Sequence, residues 1–283
     1  MSSTPSQPQP NQPVNPSWAR VQLARHPKRP HALDYIQRLF TNFRELHGDR
    51  SFSDDHAIVA GMGWLDEQPL MIVAQQKGHN TKQNVFHNFG MPRPEGYRKA
   101  MRLMELAAKF SRPIVTLLDT PGAYHGKDAE ERGQGEAIAY NLREMSRLGV
   151  PVITIVIGEG GSGGALGLGI ANRVYMLENA YYSVISPESC AAIIYRDSGR
   201  AAEAAQALRL TAQDLARLEL IDGLIEEPAE GAHTDPNRAA ELVKETIQKA
   251  LAELSPLSSR ELIDDRYDKF RRMGSFFAEG PSL

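Results

Sequence analysis

Glycine fills seven of the twelve positions from Gly158 to Gly169, in the stretch GEGGSGGALGLG directly behind the apolar run VPVITIVI. Glycine loses more backbone freedom on folding than any other residue, so a run this dense implies that something must come close to the main chain. Several chemistries use such a loop. Gly158, Gly160 and Gly163 form a G-x-G-x-x-G, with Glu178 where a ribose-binding acid would sit in a dinucleotide site. That match lies behind at least three other strands and leaves Gly161 and Gly164 unexplained. Gly160 to Gly164 also satisfy G-x-S-x-G around Ser162, with His233 downstream and Asp197 or Asp222 to orient it, the parts of a serine hydrolase. A phosphate loop is excluded, because Asp128 follows Gly126-Lys127 in place of Ser or Thr and position 121 is proline. The fourth chemistry needs no side chain. A second glycine turn, DTPGAY around Gly122, precedes the first one, and neighbouring turns can aim backbone N–H groups at one spot. Such paired donors stabilise an oxyanion or enolate by about 3–4 kcal/mol each. Against all of these stands a role for the glycines in close helix–sheet packing alone.

These residues must be positioned by repeated units. AIVAGMGWL and PLMIVAQQ read as two strands, and PIVTLLDTPGAY as a strand that ends in a glycine turn. VPVITIVIGEGGSGG repeats that pattern about 38 residues on. The helix before the first turn carries Tyr97, Met101, Met104 and Ala108 on one face, and the helix before the second carries Ile138, Leu142, Met145 and Leu148. Gly149 sits where a C-terminal cap of that second helix belongs. Leu33, Ile36, Leu39, Phe40 and Phe43 recur at helical spacing near the N-terminus. RVYMLE and YYSVIS read as strands, Ser186 and Pro187 as the cap and first residue of a helix, and Thr211 with Asp214 as a capping pair. Alternating strands and helices predict an α/β fold, either a mainly parallel sheet with right-handed crossovers or a spiral of stacked strand–strand–helix turns.

Composition excludes several classes. Net charge is −3, so no global basic field recruits nucleic acid or a membrane surface. Cys190 is the one cysteine, which rules out an internal disulfide framework and argues against a cysteine zinc site; the expectation is a cytoplasmic protein that binds no metal. No run of 18 apolar residues exists to span a bilayer, and the first residues lack the pattern of a secretory signal. Residues 1–17 are rich in Pro and Gln and read as a disordered tail, 18–50 as an N-terminal helical segment, 51–255 as the core, and 256–283 as a C-terminal helix and tail. Arg25, Lys28 and Arg29 form a basic cluster that either meets phosphates or an acidic partner, or is a solvated face.

The longer matches identify a family. NFGMPRPEGYRKAMRLM, DTPGAYHGKDAEERGQGEAIAYNLREMSRLGVPV, IGEGGSGGALGLG and YYSVISPESCAAIIYRD resemble the carboxyltransferase alpha subunit of bacterial-type acetyl-CoA carboxylase, over roughly residues 18–272. The resemblance implies a crotonase/ClpP-like spiral of ββα units with flanking N- and C-terminal helices. It implies a partner beta subunit bearing a zinc ribbon in an alpha2beta2 assembly, a biotin carboxyl carrier protein, and an ATP-dependent biotin carboxylase. The implied reaction moves a carboxyl group from carboxybiotin, held on the separate carrier, to acetyl-CoA, giving malonyl-CoA for fatty acid synthesis. Another short acyl-CoA as acceptor is left open. The resemblance assigns the oxyanion donors to backbone amides of Gly122, Ala123, Gly163 and Gly164, with Gly160, Gly161, Ala165, Lys77 and Arg98 around the substrates. Lys77 and Arg98 are read either as holding anionic groups of the carrier or CoA, or as making subunit salt bridges. His125 stands where the family more typically has proline and reads as solvent-facing.

Overall fold

The computed structural model describes residues 15–274. The N-terminal segment holds α1 (Pro16–Ala24), α2 (Ala32–Leu39) and a strand, β1 (Thr41–Glu45). β2 (Ile58–Leu65) and β3 (Gln68–Gln75) form a hairpin, followed by the short α3 (Thr81–Phe86) and by α4 (Pro94–Lys109). Next come β4 (Ile114–Thr120), the short α5 (Lys127–Glu131) and α6 (Gln134–Met145). β5 (Val152–Gly161) leads straight into α7 (Ser162–Leu166), then β6 (Arg173–Leu177) and β7 (Tyr181–Ser183). The remainder is mainly helical: α8 (Pro187–Tyr195), α9 (Ala201–Leu208), α10 (Ala212–Arg217), β8 (Gly223–Ile225), α11 (Pro236–Leu254) and α12 (Ser259–Arg272).

The sheet is mixed. Its order is β1-β2-β3-β4-β5-β6-β8, antiparallel across the first two pairings and parallel thereafter. β5 changes neighbour along its length, meeting β6 through Ile153–Val156 and β7 through Glu159–Gly161. Every residue of β4 and β5 is buried, as an inner parallel strand covered on both faces demands. Each fully buried Val, Leu or Ile contributes about 1.5–3 kcal/mol, which makes these two strands the rigid base of the fold. α4 packs on β2, β3 and α6, burying Tyr97, Met101 and Met104 at helical spacing as the sequence predicts.

The caps at Ser186 and Thr211 form as read: the Ser186 side chain accepts the Ser189 N–H, and that of Thr211 accepts the Asp214 N–H. Other expectations are corrected. Phe43 does not continue the helix of Leu33–Phe40; Phe40 is extended, Asn42 has φ 52°, and Phe43 lies on β1. Gly149 caps nothing, since α6 ends at Met145 with Ser146 at the cap; a Cβ at Gly149 would instead lie 2.9 Å from Ser259 Cβ. The buried stripe of α6 is Ala137, Asn141 and Met145, which leaves Ile138 and Leu142 half-buried. Residues 15–17, read as tail, begin α1: the Asn15 side chain caps it and also donates to the Ala202 carbonyl at 2.8 Å. The rest of that tail, residues 1–14, and the end of the C-terminal tail, residues 275–283, lie outside the described residues.

Candidate functional site

Parallel pairing puts the ends of β4 and β5 side by side, and both carry glycine turns. Thr120 is in register with Gly160. A Cβ at Gly161 would lie 2.2 Å from the Pro121 carbonyl oxygen, and one at Gly164 would lie 2.4 Å from the Gly122 carbonyl carbon and 2.5 Å from the Ala123 nitrogen. The two turns are therefore in backbone-to-backbone contact that no side chain permits. Gly122 has φ +156°, and the space beside it is open, with no atom within 4 Å of a built Cβ. Gly163 is also open, its nearest neighbour being Ile138 Cδ1 at 3.7 Å.

Buried polar groups aim the peptides. Gln75 Nε2 donates to the Gly164 carbonyl at 2.7 Å, and Tyr97 Oη donates to the same oxygen at 3.2 Å. Gln75 Oε1 in turn accepts the Asp119 N–H at 3.2 Å, so one fully buried side chain holds both turns. The Gly164 carbonyl thus faces the interior, and the Gly163 carbonyl accepts the Gly167 N–H within the helix. The first N–H groups of a helix have no intrahelical acceptor. Among the described residues, the Gly163 and Gly164 N–H groups find no other acceptor, and neither does that of Ala123. Gly122 differs: its N–H donates to Thr120 Oγ1 at 3.0 Å, and that hydroxyl donates to the Gly122 carbonyl at 2.7 Å. Gly163 and Ala123 are half-exposed, whereas Gly164 and Ala165 are buried. Among the described residues, Ala123 and Gly163 therefore carry half-exposed amides without an acceptor, whereas the Gly122 amide is engaged within its own turn and Gly164 forms the contact between the turns. Gly160 and Gly161 belong to the strand beneath them.

Ion pairs lie under the turns. Asp119 and Glu159 stand at the ends of β4 and β5, and Lys77 Nζ reaches both, at 2.7 and 2.6 Å. Asp119 also accepts the Glu159 N–H at 3.0 Å and lies 2.9 Å from His31 Nδ1. Arg25 holds the other Glu159 oxygen at 2.7 Å and Glu188 at 2.5 Å, and Tyr181 Oη donates to Glu159 at 2.5 Å. Burial opposes the charged form of Lys77, but Asp119 and Glu159 outweigh it and its pKa is raised. Burial likewise pushes Asp119 and Glu159 up, yet the surrounding cations hold both below the usual carboxylate range.

The charge of Lys77 is thus satisfied inside the chain. So is that of Arg98, which donates to Asp49 at 2.8 Å and to the Arg132 carbonyl at 3.2 Å; none of its partners belongs to a glycine turn. The basic cluster is not a surface patch either. Arg25 pairs with Glu159 and Glu188, and Arg29 is fully buried against Glu227 at 2.6 Å; Lys28 alone is exposed. His125 is exposed, as its solvent-facing reading requires. Sequence reading passed over Gln75, Asp119 and Glu159. The available signal was an acidic residue, Asp119 or Glu159, near the end of a mainly apolar strand just before each glycine turn.

The side-chain alternatives do not assemble. Ser162 has φ 51° at a strand-to-helix turn, a shape that suits a nucleophile. Its supposed base, His233, lies against His26, the two rings tilted by 31° with centroids 3.8 Å apart. Asp222 accepts the Val174 N–H at 2.6 Å and pairs with Lys269, while Asp197 caps Gly199 at 2.8 Å. Glu178, the candidate ribose acid, faces Arg20 at 3.6 Å.

The profile of the family described as acetyl co-enzyme A carboxylase carboxyltransferase-like matches residues 14–274. The chain belongs to this family. Among relatives, it is 56% identical over 261 residues to the acetyl-coenzyme A carboxylase carboxyl transferase subunit alpha of Oceanobacillus iheyensis, covering 92% of this chain and 82% of that one. It is 57% identical over 259 residues to the protein of the same name from Thermus thermophilus, covering 92% and 83%. Solved structures share the fold at low identity. The transcarboxylase 12S hexamer with methylmalonyl-coenzyme A and methylmalonic acid aligns at TM-score 0.67 and 20% identity; the alignment covers 97% of this chain and 49% of that one, so this chain spans about half the neighbour's length. A Pseudomonas malonate decarboxylase hetero-tetramer in complex with coenzyme A aligns at TM-score 0.61 and 18% identity, covering 76% and 89%. The chain shares the fold of these two structures, an α/β architecture with a mixed sheet and flanking helices.

Proposed function

We propose that this chain is the alpha subunit of an acetyl-CoA carboxyltransferase, moving a carboxyl group from carboxybiotin on a separate carrier protein to acetyl-CoA and forming malonyl-CoA. The observation that carries the reading is the backbone contact between Gly164 and the Gly122–Ala123 turn, with open space beside Gly122 and Gly163 and, among the described residues, no acceptor for the Ala123 and Gly163 amides. The relatives named as carboxyl transferase alpha subunits support the same reading. Carboxybiotin supplies the carboxyl group and leaves negative charge on its ureido oxygen. The Ala123 and Gly163 N–H groups would donate to that oxygen as its charge develops, and preorganised donors of this kind contribute about 3–4 kcal/mol each. Gln75, Tyr97 and Thr120 keep the Gly164 and Gly122 carbonyls from facing the developing charge. No general base is asked of this chain: the carboxyl group would leave the ureido nitrogen as CO2, the ureido oxygen left negative would take the acetyl-CoA methyl proton, and the enolate carbon so formed would add to the CO2 to give malonyl-CoA.

The thioester side of the reaction belongs, in this proposal, to a beta subunit, and a biotin carboxylase recharges the carrier. An alpha2beta2 assembly and a cytoplasmic location are parts of the same proposal. No helix among the described residues is long and apolar enough to cross a membrane. The test is reconstitution. The purified chain, free carboxybiotin and acetyl-CoA should give no malonyl-CoA until a beta subunit is added. Turnover by the chain alone, or none by the pair, refutes the proposal; faster transfer to propionyl-CoA than to acetyl-CoA reassigns the acceptor.

A further inference from the structure

Three charged residues lie near the ends of adjacent strands: Lys77 two residues beyond β3, Asp119 next to last in β4 and Glu159 two residues before the end of β5. One ammonium group spans the two carboxylates, at 2.7 and 2.6 Å. The contact extends to the backbone, since Asp119 Oδ1 accepts the Glu159 N–H. From Asp119 the chain runs through Thr120 and Pro121 to Gly122, and from Glu159 through two glycines to Ser162 and Gly163. Lys77 is also packed from above: a Cβ at Gly90 would lie 2.7 Å from Lys77 Cγ, so the side chain has little freedom to leave.

We infer that Lys77 is a positioning residue for carboxyl transfer: its bridge between Asp119 and Glu159 sets the separation of the Gly122–Ala123 and Gly163–Gly164 turns. The inference rests on the reading given under Proposed function and adds to it the device that holds the amides in place. The lysine touches no substrate; it acts through the two acids. With its charge removed, two buried carboxylates on adjacent strands face each other, and like charges at close range repel. The turns lie only a few residues from these acids, and oxyanion donors tolerate displacements well under an ångström. Arg25 cannot substitute, because its guanidinium is spent on Glu159 and Glu188 and makes no contact with Asp119.

The experiment compares Lys77→Met and Lys77→Arg with the parent chain, each assembled with the beta subunit and assayed with free carboxybiotin and acetyl-CoA. Amide exchange at Ala123 and Gly163 and the melting temperature are followed in parallel. For Lys77→Met we expect kcat to fall about 100-fold, the loss typical of one misplaced oxyanion donor, while KM for acetyl-CoA stays within about twofold. Exchange at the two amides should rise, and Lys77→Arg, which keeps the charge, should recover about tenfold of the lost rate. A kcat within about threefold of the parent in assembled Lys77→Met overturns the inference. So does an equal loss in both variants without a change in amide exchange. Should Lys77→Met fail to assemble, Glu159→Gln is read by the same two criteria. Failure of the parent complex to transfer carboxyl groups strikes the functional proposal instead, and amide exchange in Lys77→Met then tests the clamp by itself.

Discussion

Gly164 lies so close to Gly122 that a Cβ on the first would sit 2.4 Å from the carbonyl carbon of the second. Real side chains never come that near, so any substitution at Gly164 must push the two turns apart. Gly163, one residue earlier, faces only Ile138 Cδ1 at 3.7 Å. The pair predicts opposite results from one added methyl group. Gly164→Ala should assemble with the beta subunit and lose about 100-fold in kcat, whereas Gly163→Ala should stay within about tenfold of the parent. Steady-state kinetics on the two variants side by side decides it; equal activity would remove the backbone contact from the mechanism.

Ser162 holds φ 51°, in the left-handed region, and among the described residues its hydroxyl has no hydrogen-bond partner. Ser162→Ala should therefore keep activity within about threefold, since nothing in the proposed chemistry uses the oxygen. Ser162→Gly should raise stability by about 0.5–1 kcal/mol, because glycine adopts this conformation without strain. Loss of nearly all turnover in the alanine variant would restore the hydrolase reading.

Arg29 and Glu227 form a buried pair, with Arg29 Nη2 2.6 Å from Glu227 Oε1 and both side chains almost fully covered. Burial alone would raise the Glu227 pKa, but the guanidinium and the Asn179 hydrogen bonds hold it below the usual carboxylate value. A carboxylate with a depressed folded pKa contributes stability that is present above its unfolded value, about 4.3, and is lost as pH falls through the folded one. Glu227→Gln should cost about 3–5 kcal/mol at pH 7, because it leaves a buried cation unpaired. The gap between variant and parent should narrow as the buffer is taken below about pH 4. Denaturant midpoints over a pH series measure both effects, and a gap that stays constant with pH contradicts the assignment.

Arg266 anchors α12 to the connection between α6 and β5. It donates to the carbonyls of Met145, Leu148 and Val150 at 2.9, 2.8 and 3.1 Å, and to Asn172 Oδ1 at 2.6 Å. Burial, opposed only by Asp265, pulls its guanidinium down to about 10. Arg266→Leu strands these acceptors and should destabilise the chain by about 3 kcal/mol, with early proteolytic release of α12. The activity of the assembled enzyme at low temperature should hold, since none of these groups borders the glycine turns. A melting curve and a protease time course test the two halves of that statement separately.

Much of the fold was readable because local chemistry and tertiary structure agree. β4 and β5 are unbroken apolar runs, and they are inner strands covered on both faces. The caps at Ser186 and Thr211 depend on atoms three residues away, so the sequence carries them whole. The closeness of the two glycine turns also followed from parallel neighbours ending together. What stayed hidden depends on partners distant along the chain. Nothing near Lys77 announces Asp119 or Glu159, and its charge suggested an anionic ligand or a subunit salt bridge instead of a bridge within the chain. β1 was masked because Phe43 extends the spacing of the preceding helix, and only pairing with β2 makes it a strand. The rotation of α6 was masked by Asn141, a polar residue that is fully buried because its Nδ2 donates to the Tyr97 and Gly167 carbonyls, both at 3.1 Å.

The meeting of the two turns through peptide atoms alone bears on resistance. A small molecule that grips side chains can be evaded by exchanging those side chains. One that hangs on the amides of Ala123 and Gly163 is held by atoms every amino acid shares, so replacement alters only the contour around them. Gly161 and Gly164 allow little change of contour, because each already abuts the opposite main chain. Escape would have to come from farther off, through residues that tilt the whole platform, and such variants should carry a growth defect of their own.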